Sequence, residues 1–190
     1  MAVPTIIASS TLDFPIPGQK IPFIDTTSWL IHADTKIGYS VEYPPNLIPG
    51  GSADQFTVAF PKNLYFHWPL LDDVKVTVSV SPHSCPNIAT HGPTDPSPIE
   101  FAMNGYKFSR NISTDVGAGQ LYTEVTYDTL TNGSCYRIDL LDHGTNGAGF
   151  YVDDVSLVKK YDGQHAVDMA GVIDVLNSMV GTLRVLAQSN

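Results

Sequence analysis

The sequence contains little that would mark a membrane-spanning, nucleic-acid-binding or disordered chain. No run approaches the roughly 20 apolar residues that a membrane-spanning helix needs. Only 10 side chains are basic against 19 acidic ones, and a formal net charge of −9 argues against a basic surface for nucleic acid or anionic lipid. Charged residues make up 15% of the 190 residues, while 43% are hydrophobic, which is enough apolar material to fill one core.

The sequence also lacks the motifs that identify common catalytic and nucleotide-binding or metal-binding sites. The chain has no Gly-x-Ser-x-Gly elbow, no His-Glu-x-x-His helix, no P-loop and no EF-hand loop. We therefore expect no enzymatic activity and no obligatory cofactor. The first ten residues lack the basic start and apolar run of a signal peptide. The low charge still favours an extracytoplasmic location, in the cell envelope or secreted, reached with a leader that has been removed.

Cysteine is scarce. Cys85 and Cys135 are the two cysteines, a number that permits one disulfide. Such a bond would close a loop of about 50 residues and stabilise the fold by roughly 4 kcal/mol in the chain-entropy model. The alternative is two free thiols. His83 and His91 flank Cys85, so this segment also has a second interpretation as a zinc-binding loop, in which a disulfide would remove the Cys85 ligand.

Alternating apolar and polar residues dominate the middle of the chain. Residues 1–24 show no such period and are rich in Pro, Ser and Thr, so we expect an extended arm or linker there, followed by one domain over 25–190. The clearest strand signal has valine at every second position, in Val74, Val76, Val78 and Val80. Further alternating runs and an Asn132-Gly133 reversal predict an antiparallel sheet of about six to seven strands, covered by helices.

One long amphipathic helix is predicted near the end of the chain, over Gln164–Val180. Its apolar stripe consists of Met169, Val172, Ile173, Leu176, Met179 and Val180. The opposite face, which includes Asp168 and Asn177, is expected to be solvated. A short strand is expected after the helix, within residues 183–186. Many antiparallel strands and a late packing helix describe an α+β fold with helices layered on a sheet.

Three stretches carry a resemblance to a known family. They are residues 37–44 (Ile-Gly-Tyr-Ser-Val-Glu-Tyr-Pro), residues 104–136 with their Asn-Gly and Tyr pairs, and residues 175–186 at the end of the chain. Together they resemble PsbP-like domains, in particular the bacterial envelope type. The resemblance implies an α/β/α sandwich with an antiparallel sheet. Leu183 and Val185 stand where the family often has phenylalanine, and no family site can be carried over residue by residue.

Aromatic residues suggest a contact surface between two predicted strands. Tyr65, Phe66 and Trp68 lie in a segment bounded by Pro61 and Pro69. Exposed tryptophan and tyrosine are favoured anchors for proteins and sugars. The alternative is that these rings cap the edge of the core. With catalytic motifs missing, the leading prediction is a non-catalytic PsbP-like domain that binds an unknown protein partner through this aromatic loop and the 82–98 loop.

A second hypothesis centres on polar residues of the 139–154 region. Asp139, Asp142, His143, Asp153 and Asp154 surround a glycine-rich loop. Carboxylate and carbonyl oxygens are the ligands that hard divalent cations prefer. This pattern predicts a cation-binding or glycan-binding module as the alternative function. Against it, strand alternation places Asp139 beside Arg137 on an outward face, where an ordinary solvated ion pair is expected.

Overall fold

The structure is a computed structural model that describes residues 26–62, 71–85, 97–117, 119–145 and 153–186. The predicted arm over 1–24 lies outside these residues. The described strands are β1 Leu30–Asp34, β2 Tyr39–Tyr43, β3 Ile48–Ser52, β4 Gln55–Ala59, β5 Leu71–Pro82, β6 Ile99–Met103, β7 Tyr106–Gly117, β8 Gln120–Thr131, β9 Ser134–Thr145 and β10 Arg184–Val185. The described helix, α1, spans Val155–Thr182. The α+β class and antiparallel sheet expected from the sequence are confirmed.

Seven of these strands form one antiparallel sheet, ordered β3-β4-β5-β9-β8-β7-β6. The central strands β5, β8 and β9 are each 12 residues long. Alternation gives the sheet two chemically different faces. The side chains of Val76, Ile138 and Val125 lie on one face, which we call the helix face, and each is at most 1% exposed. The opposite face, the outer face, carries Thr77, Arg137 and Asp139.

Helix α1 packs its apolar side into the core that covers the helix face. Asp154 caps its N-terminus by accepting hydrogen bonds from the backbone N–H groups of Ser156 and Leu157 at 3.0 and 3.1 Å. The buried helix residues are His165, Asp168, Met169, Val172, Ile173, Val175, Leu176, Asn177, Met179 and Val180. The predicted apolar stripe is therefore confirmed, but the helix begins nine residues earlier than its periodicity indicated.

A second, three-stranded sheet has the order β1-β2-β10 and contacts the end of the helix. The Thr182 hydroxyl accepts a hydrogen bond from the Glu42 backbone N–H at 2.9 Å. The Asn104 amide donates to the Leu183 carbonyl at 3.1 Å, and the Tyr106 hydroxyl accepts from the Val185 N–H at 3.1 Å. The residues after the helix are thus hydrogen-bonded to the β6–β7 hairpin while β10 pairs with β2.

Two polar helix residues lie where the sequence pattern placed solvent. Asn177 is 1% exposed and Asp168 is 6% exposed. The Asn177 side-chain oxygen accepts a hydrogen bond from the Tyr127 hydroxyl at 2.5 Å. Burial raises the pKa of Tyr127 to about 12, although neighbouring Arg110 acts in the opposite direction. The prediction of a solvated face was wrong at Asn177 because a hydroxyl of the sheet donates to its side chain. It was wrong at Asp168 too, where the carboxylate accepts a hydrogen bond from Gln164 of its own helix at 2.9 Å.

Removing the Asn177 side chain should test this buried bond. We expect Asn177→Ala to lower the free energy of unfolding by about 1–3 kcal/mol, because it removes the oxygen that accepts the proton of the buried Tyr127 hydroxyl. Urea unfolding followed by circular dichroism measures the change. Ser178→Ala is the matched control, since Ser178 donates to the Asp174 carbonyl of its own helix and should change stability by about 0.5 kcal/mol or less. Equal losses in the two variants would contradict the assignment.

Candidate functional site

The aromatic loop predicted as a contact surface, with Tyr65, Phe66 and Trp68, lies outside the described residues. So does most of the 82–98 loop, apart from its two ends. Both surfaces remain predictions.

The five residues of the predicted cation site do not converge. Asp142 points to the helix face, where its side chain is completely buried and 2.9 Å from His165 Nε2 on α1. Asp139 and His143 alternate with Asp142 along β9 and lie on the outer face. Asp154 is engaged as the helix cap, and Asp153 is exposed. Side-chain alternation therefore separates the residues that the linear pattern grouped, and the geometry does not offer a single ion held by all five.

The Asp142–His165 pair lies in a buried polar pocket beneath the helix. Thr123 stands directly opposite Asp142 on β8, and both are at most 1% exposed. Asp142 Oδ1 and Thr123 Oγ1 find no hydrogen-bond partner in the described part of the chain. With helix α1 above it and β8 and β9 below, the pair links the first half of the helix to the sheet.

The outer face carries a partly covered ionic network around Arg137. Its guanidinium donates to both carboxylate oxygens of Asp128 at 2.8 Å, and this hydrogen bonding raises the pKa of Arg137. Asp139 Oδ1 lies 4.0 Å from Arg137 Nε. Arg137 and Asp128 are only 17% and 11% exposed at their side chains. The predicted outward pairing of Asp139 with Arg137 is present, but Asp128 is the main partner and the network is not freely solvated.

The fold strongly perturbs the carboxyl of Asp139 on the outer face. Burial raises its pKa to about 6, although a hydrogen bond from Thr126 and the charge of Arg137 oppose the rise. A carboxyl whose pKa lies this much closer to neutral pH changes its protonation readily when charge is brought close to it. The alternation of the sequence predicts that Asp139 lies on this face. It does not predict how deeply Asp139 is buried, because burial depends on the tertiary structure.

The open disulfide question is resolved by the structure, in which Cys85 and Cys135 are bonded with their Cα atoms 4.9 Å apart. Cys135 is the second residue of β9, and Cys85 follows the end of β5. The Asp128 carboxylate lies beside this bond, with Oδ1 3.8 Å from Cys135 Sγ. A zinc site that uses the Cys85 thiolate is excluded while the disulfide is present.

An aromatic pair occupies the outer face near the β7–β8 hairpin. The rings of Tyr122 and His143 stack with centroids 4.4 Å apart and planes within 3°. His143 Nε2 is 2.9 Å from the side-chain oxygen of Gln120. Tyr122 remains 38% exposed. We call these three side chains the Tyr122–His143 platform, and among the predicted site residues it contains His143 alone. Its partners Tyr122 and Gln120 were not predicted as site residues, because only the β8–β9 register brings them next to His143.

Edge strands provide the other exposed features. β3 reads Ile-Pro-Gly-Gly-Ser, and proline and glycine are features that protect an edge from further strand pairing. β1 reads Leu-Ile-His-Ala-Asp and has neither. It pairs with β2 on one side, and no described strand pairs with its other side. Ile31 in this strand is 68% exposed and Leu30 is 45% exposed.

Comparison with known proteins identifies the fold. No protein-family model and no curated protein matches the chain. Among solved structures, the Ran-binding protein Mog1p of Saccharomyces cerevisiae aligns over 83% of this chain and 95% of its own, with TM-score 0.50 and 10% identity. Cyanobacterial PsbP (CyanoP) of Synechocystis sp. PCC 6803 aligns over 83% and 92%, with TM-score 0.36 and 12% identity. The predicted PsbP-like fold is confirmed at the level of the fold.

A Bacteroides thetaiotaomicron structure is also similar, with TM-score 0.48 and 10% identity over 84% of this chain. The present chain spans 49% of that protein's length. No helix among the described residues has the length and hydrophobicity needed to cross a bilayer.

The carboxyl of Asp139 should make stability depend on pH in a defined direction. Its pKa in the folded chain is about 6, above the ordinary 3.8, so the folded state holds the proton more tightly than the unfolded state. The free energy of unfolding should therefore fall as pH rises from below about 4 to above about 6, by up to roughly 3 kcal/mol in total. Asp139→Asn should flatten this part of the profile and be the more stable protein at pH 7. Urea unfolding at four pH values tests it, and an unchanged slope in the variant would contradict the assignment.

Proposed function

We propose that this chain is a non-catalytic accessory domain of the PsbP-like type that binds another protein in the cell envelope or outside the cell. The observation that carries the proposal is the fold itself. It is shared with Mog1p, which is described as a Ran-binding protein, and the shared architecture covers nearly the whole of that protein. Fold alone does not determine function, so the proposal also needs a surface suited to a partner.

Strand β1 is the described surface best suited to that task. An unpaired edge offers backbone N–H and C=O groups to an extended segment of a partner, and neighbouring apolar side chains add specificity. Ile31 supplies such a side chain at 68% exposure. His32 stiffens the strand by stacking on Phe56, with centroids 3.8 Å apart and planes within 5°. The edge therefore approaches a partner as a preformed strand, which lowers the ordering cost of binding.

The location in the proposal rests on the disulfide. Disulfides persist in oxidising compartments and are rare in reducing ones. The Cys85–Cys135 bond therefore supports an extracytoplasmic location. The aromatic loop with Tyr65, Phe66 and Trp68 stays part of the proposal as a second contact surface.

Placing a charge on the β1 edge should separate partner binding from folding. Photo-crosslinking from position 31 in the native host identifies the partner, and titration of the purified partner then measures affinity. We expect Ile31→Lys to weaken binding about tenfold or more, because the lysine blocks strand addition and removes an apolar contact.

The matched control is Val167→Lys on the exposed side of helix α1, where Val167 is 67% exposed. This variant should bind within about twofold of the wild-type protein, and both variants should show wild-type circular dichroism. Equal weakening by the two substitutions would remove β1 as the contact strand. If position 31 does not crosslink and Ile31→Lys binds as tightly as the wild-type protein, β1 is not the contact strand. The aromatic loop is then tested with Trp68→Ala.

A second candidate function is glycan binding, favoured by the Tyr122–His143 platform. A flat aromatic face beside hydrogen-bonding groups such as Gln120 suits the apolar face and hydroxyls of a sugar. Of the residues predicted in the 139–154 region, this glycan site uses His143. It does not use Asp142, which is buried against His165.

Removing the platform tests this candidate. Labelled protein is screened on a glycan array, and the strongest ligand is then titrated. Tyr122→Ala should weaken that interaction about tenfold or more, because it removes the stacking face. Val116→Ala, at a 62% exposed position on the same hairpin, is the control and should leave affinity unchanged. A wild-type protein that binds no glycan on the array would reject this candidate.

A further inference from the structure

Three metal-capable side chains converge away from the residues discussed as a cation site. They are Cys85, Cys135 and Asp128, whose ligand atoms all lie within 4.8 Å of one another. Two are at present joined in the disulfide. Of the acidic, histidine and cysteine side chains in the described residues, these three have their ligand atoms this close together. The grouping is a product of the fold, because 50 residues separate the two cysteines.

Backbone pairing positions these side chains independently of the sulfur–sulfur bond. Cys135 pairs with Ser81 of β5 on one side and with Leu130 of β8 on the other. Asp128 lies on the same β8 strand, opposite Arg137. The chain then turns back at the end of β5, where the His83 N–H donates to the Gly133 carbonyl at 2.9 Å. This turn holds Cys85 over β9 through hydrogen bonds that do not involve sulfur.

The geometry suits tetrahedral zinc. Zinc bonds sulfur at about 2.3 Å and carboxylate oxygen at about 2.0–2.2 Å, so a tetrahedral ion separates these two ligands by roughly 3.6 Å. Asp128 Oδ1 and Cys135 Sγ are already 3.8 Å apart. Reduction would break the bond between Cys85 Sγ and Cys135 Sγ and let the two sulfur atoms move about as far apart as two ligands of one tetrahedral ion. Cys85 is only partly buried, which leaves solvent as the fourth ligand.

Arg137 supplies the charge balance and the orientation. It holds the Asp128 carboxylate through two hydrogen bonds of 2.8 Å, as outer partners of metal ligands commonly do. Two thiolates and one carboxylate carry three negative charges, while Zn²⁺ and the guanidinium carry three positive ones. The loaded cluster would therefore be neutral overall, which favours its formation at a site where Cys135 is fully buried.

We propose that reduction of the Cys85–Cys135 disulfide converts this location into a zinc site formed by Cys85, Cys135 and Asp128. A dithiol reductant supplies two electrons and two protons, becomes a disulfide itself, and leaves two protein thiols. Zn²⁺ then displaces both thiol protons and is bound by the two thiolates and the carboxylate. The oxidised chain has no thiolates to offer, so metal binding reports the redox state of the protein.

The experiment titrates the full chain with Co²⁺, a coloured substitute for zinc, before and after reduction by a phosphine, which takes up oxygen from water. The reduced protein should bind one Co²⁺ per chain with a thiolate-to-metal charge-transfer band, and Zn²⁺ should displace it. The oxidised protein should show neither. Asp128→Asn should weaken binding at least about tenfold. Asp139→Asn is the matched control, since Asp139 also faces Arg137 but is not a ligand, and it should stay within about threefold.

Each alternative outcome is decisive. Absence of the charge-transfer band in the reduced protein, equal binding in the oxidised protein, or wild-type affinity in Asp128→Asn would overturn the proposal. If reduction alone unfolds the chain, adding Zn²⁺ should restore the native circular dichroism. Restoration should fail in the Cys85→Ser, Cys135→Ser double variant. Metal binding without recovery of the native spectrum would show that two cysteines of an unfolded chain suffice, and would also overturn it.

Discussion

Burial of one side of helix α1 against the seven-stranded sheet is the interaction on which the rest of the structure depends. The helix covers the centre of the sheet, where β8 and β9 bring Tyr127, Ile138 and Leu140 to its surface with no more than 1% exposure. Apolar burial supplies most of the free energy of folding, but it also forces polar groups out of water. The Tyr127–Asn177 and Asp142–His165 hydrogen bonds satisfy groups that this packing removes from solvent.

Because side chains alternate along each strand, the two faces of the sheet carry different kinds of residues. The helix face holds residues that fix the helix, while the outer face holds groups able to meet other molecules. Arg137, Asp128 and the Cys85–Cys135 bond lie together on the outer face, and the Tyr122–His143 stack lies further along it. β1 offers a third kind of surface, a strand edge. The proposed functions occupy these separate places, so a change to one leaves the others in position.

Much of the fold could be predicted from the sequence because its signals are local. The valine alternation of β5, the Asn132-Gly133 turn and the apolar period of the helix each arise from neighbouring residues. β3 was missed because its Ile-Pro-Gly-Gly-Ser sequence has no alternation and its Gly50-Gly51 pair is more typical of a turn than of a strand. β6, Ile99–Met103, was also missed beside the proline-rich segment, although its apolar residues alternate.

The candidate sites were less predictable because they depend on which strands become neighbours. Asp128 and Arg137 lie nine residues apart and meet only through the β8–β9 register. The reverse error, the grouping of Asp139 with Asp142, follows from linear closeness across a strand whose side chains alternate. The burial of Asn177 was missed for a related reason. A polar residue looks solvated in a helical period unless the polar group that meets it from the sheet is known.

The three-stranded sheet has a further consequence for how the chain can be rearranged. β1 and β10 both pair with β2, so strands from opposite ends of the described fold lie on either side of one strand. At about 4.8 Å per strand and 3.3 Å per residue, Leu30 and Val185 are roughly 16 Å apart. A short flexible linker spans that distance. Circular permutants opened at the exposed Asn132-Gly133 turn would keep every strand neighbour and place the new termini at a surface turn.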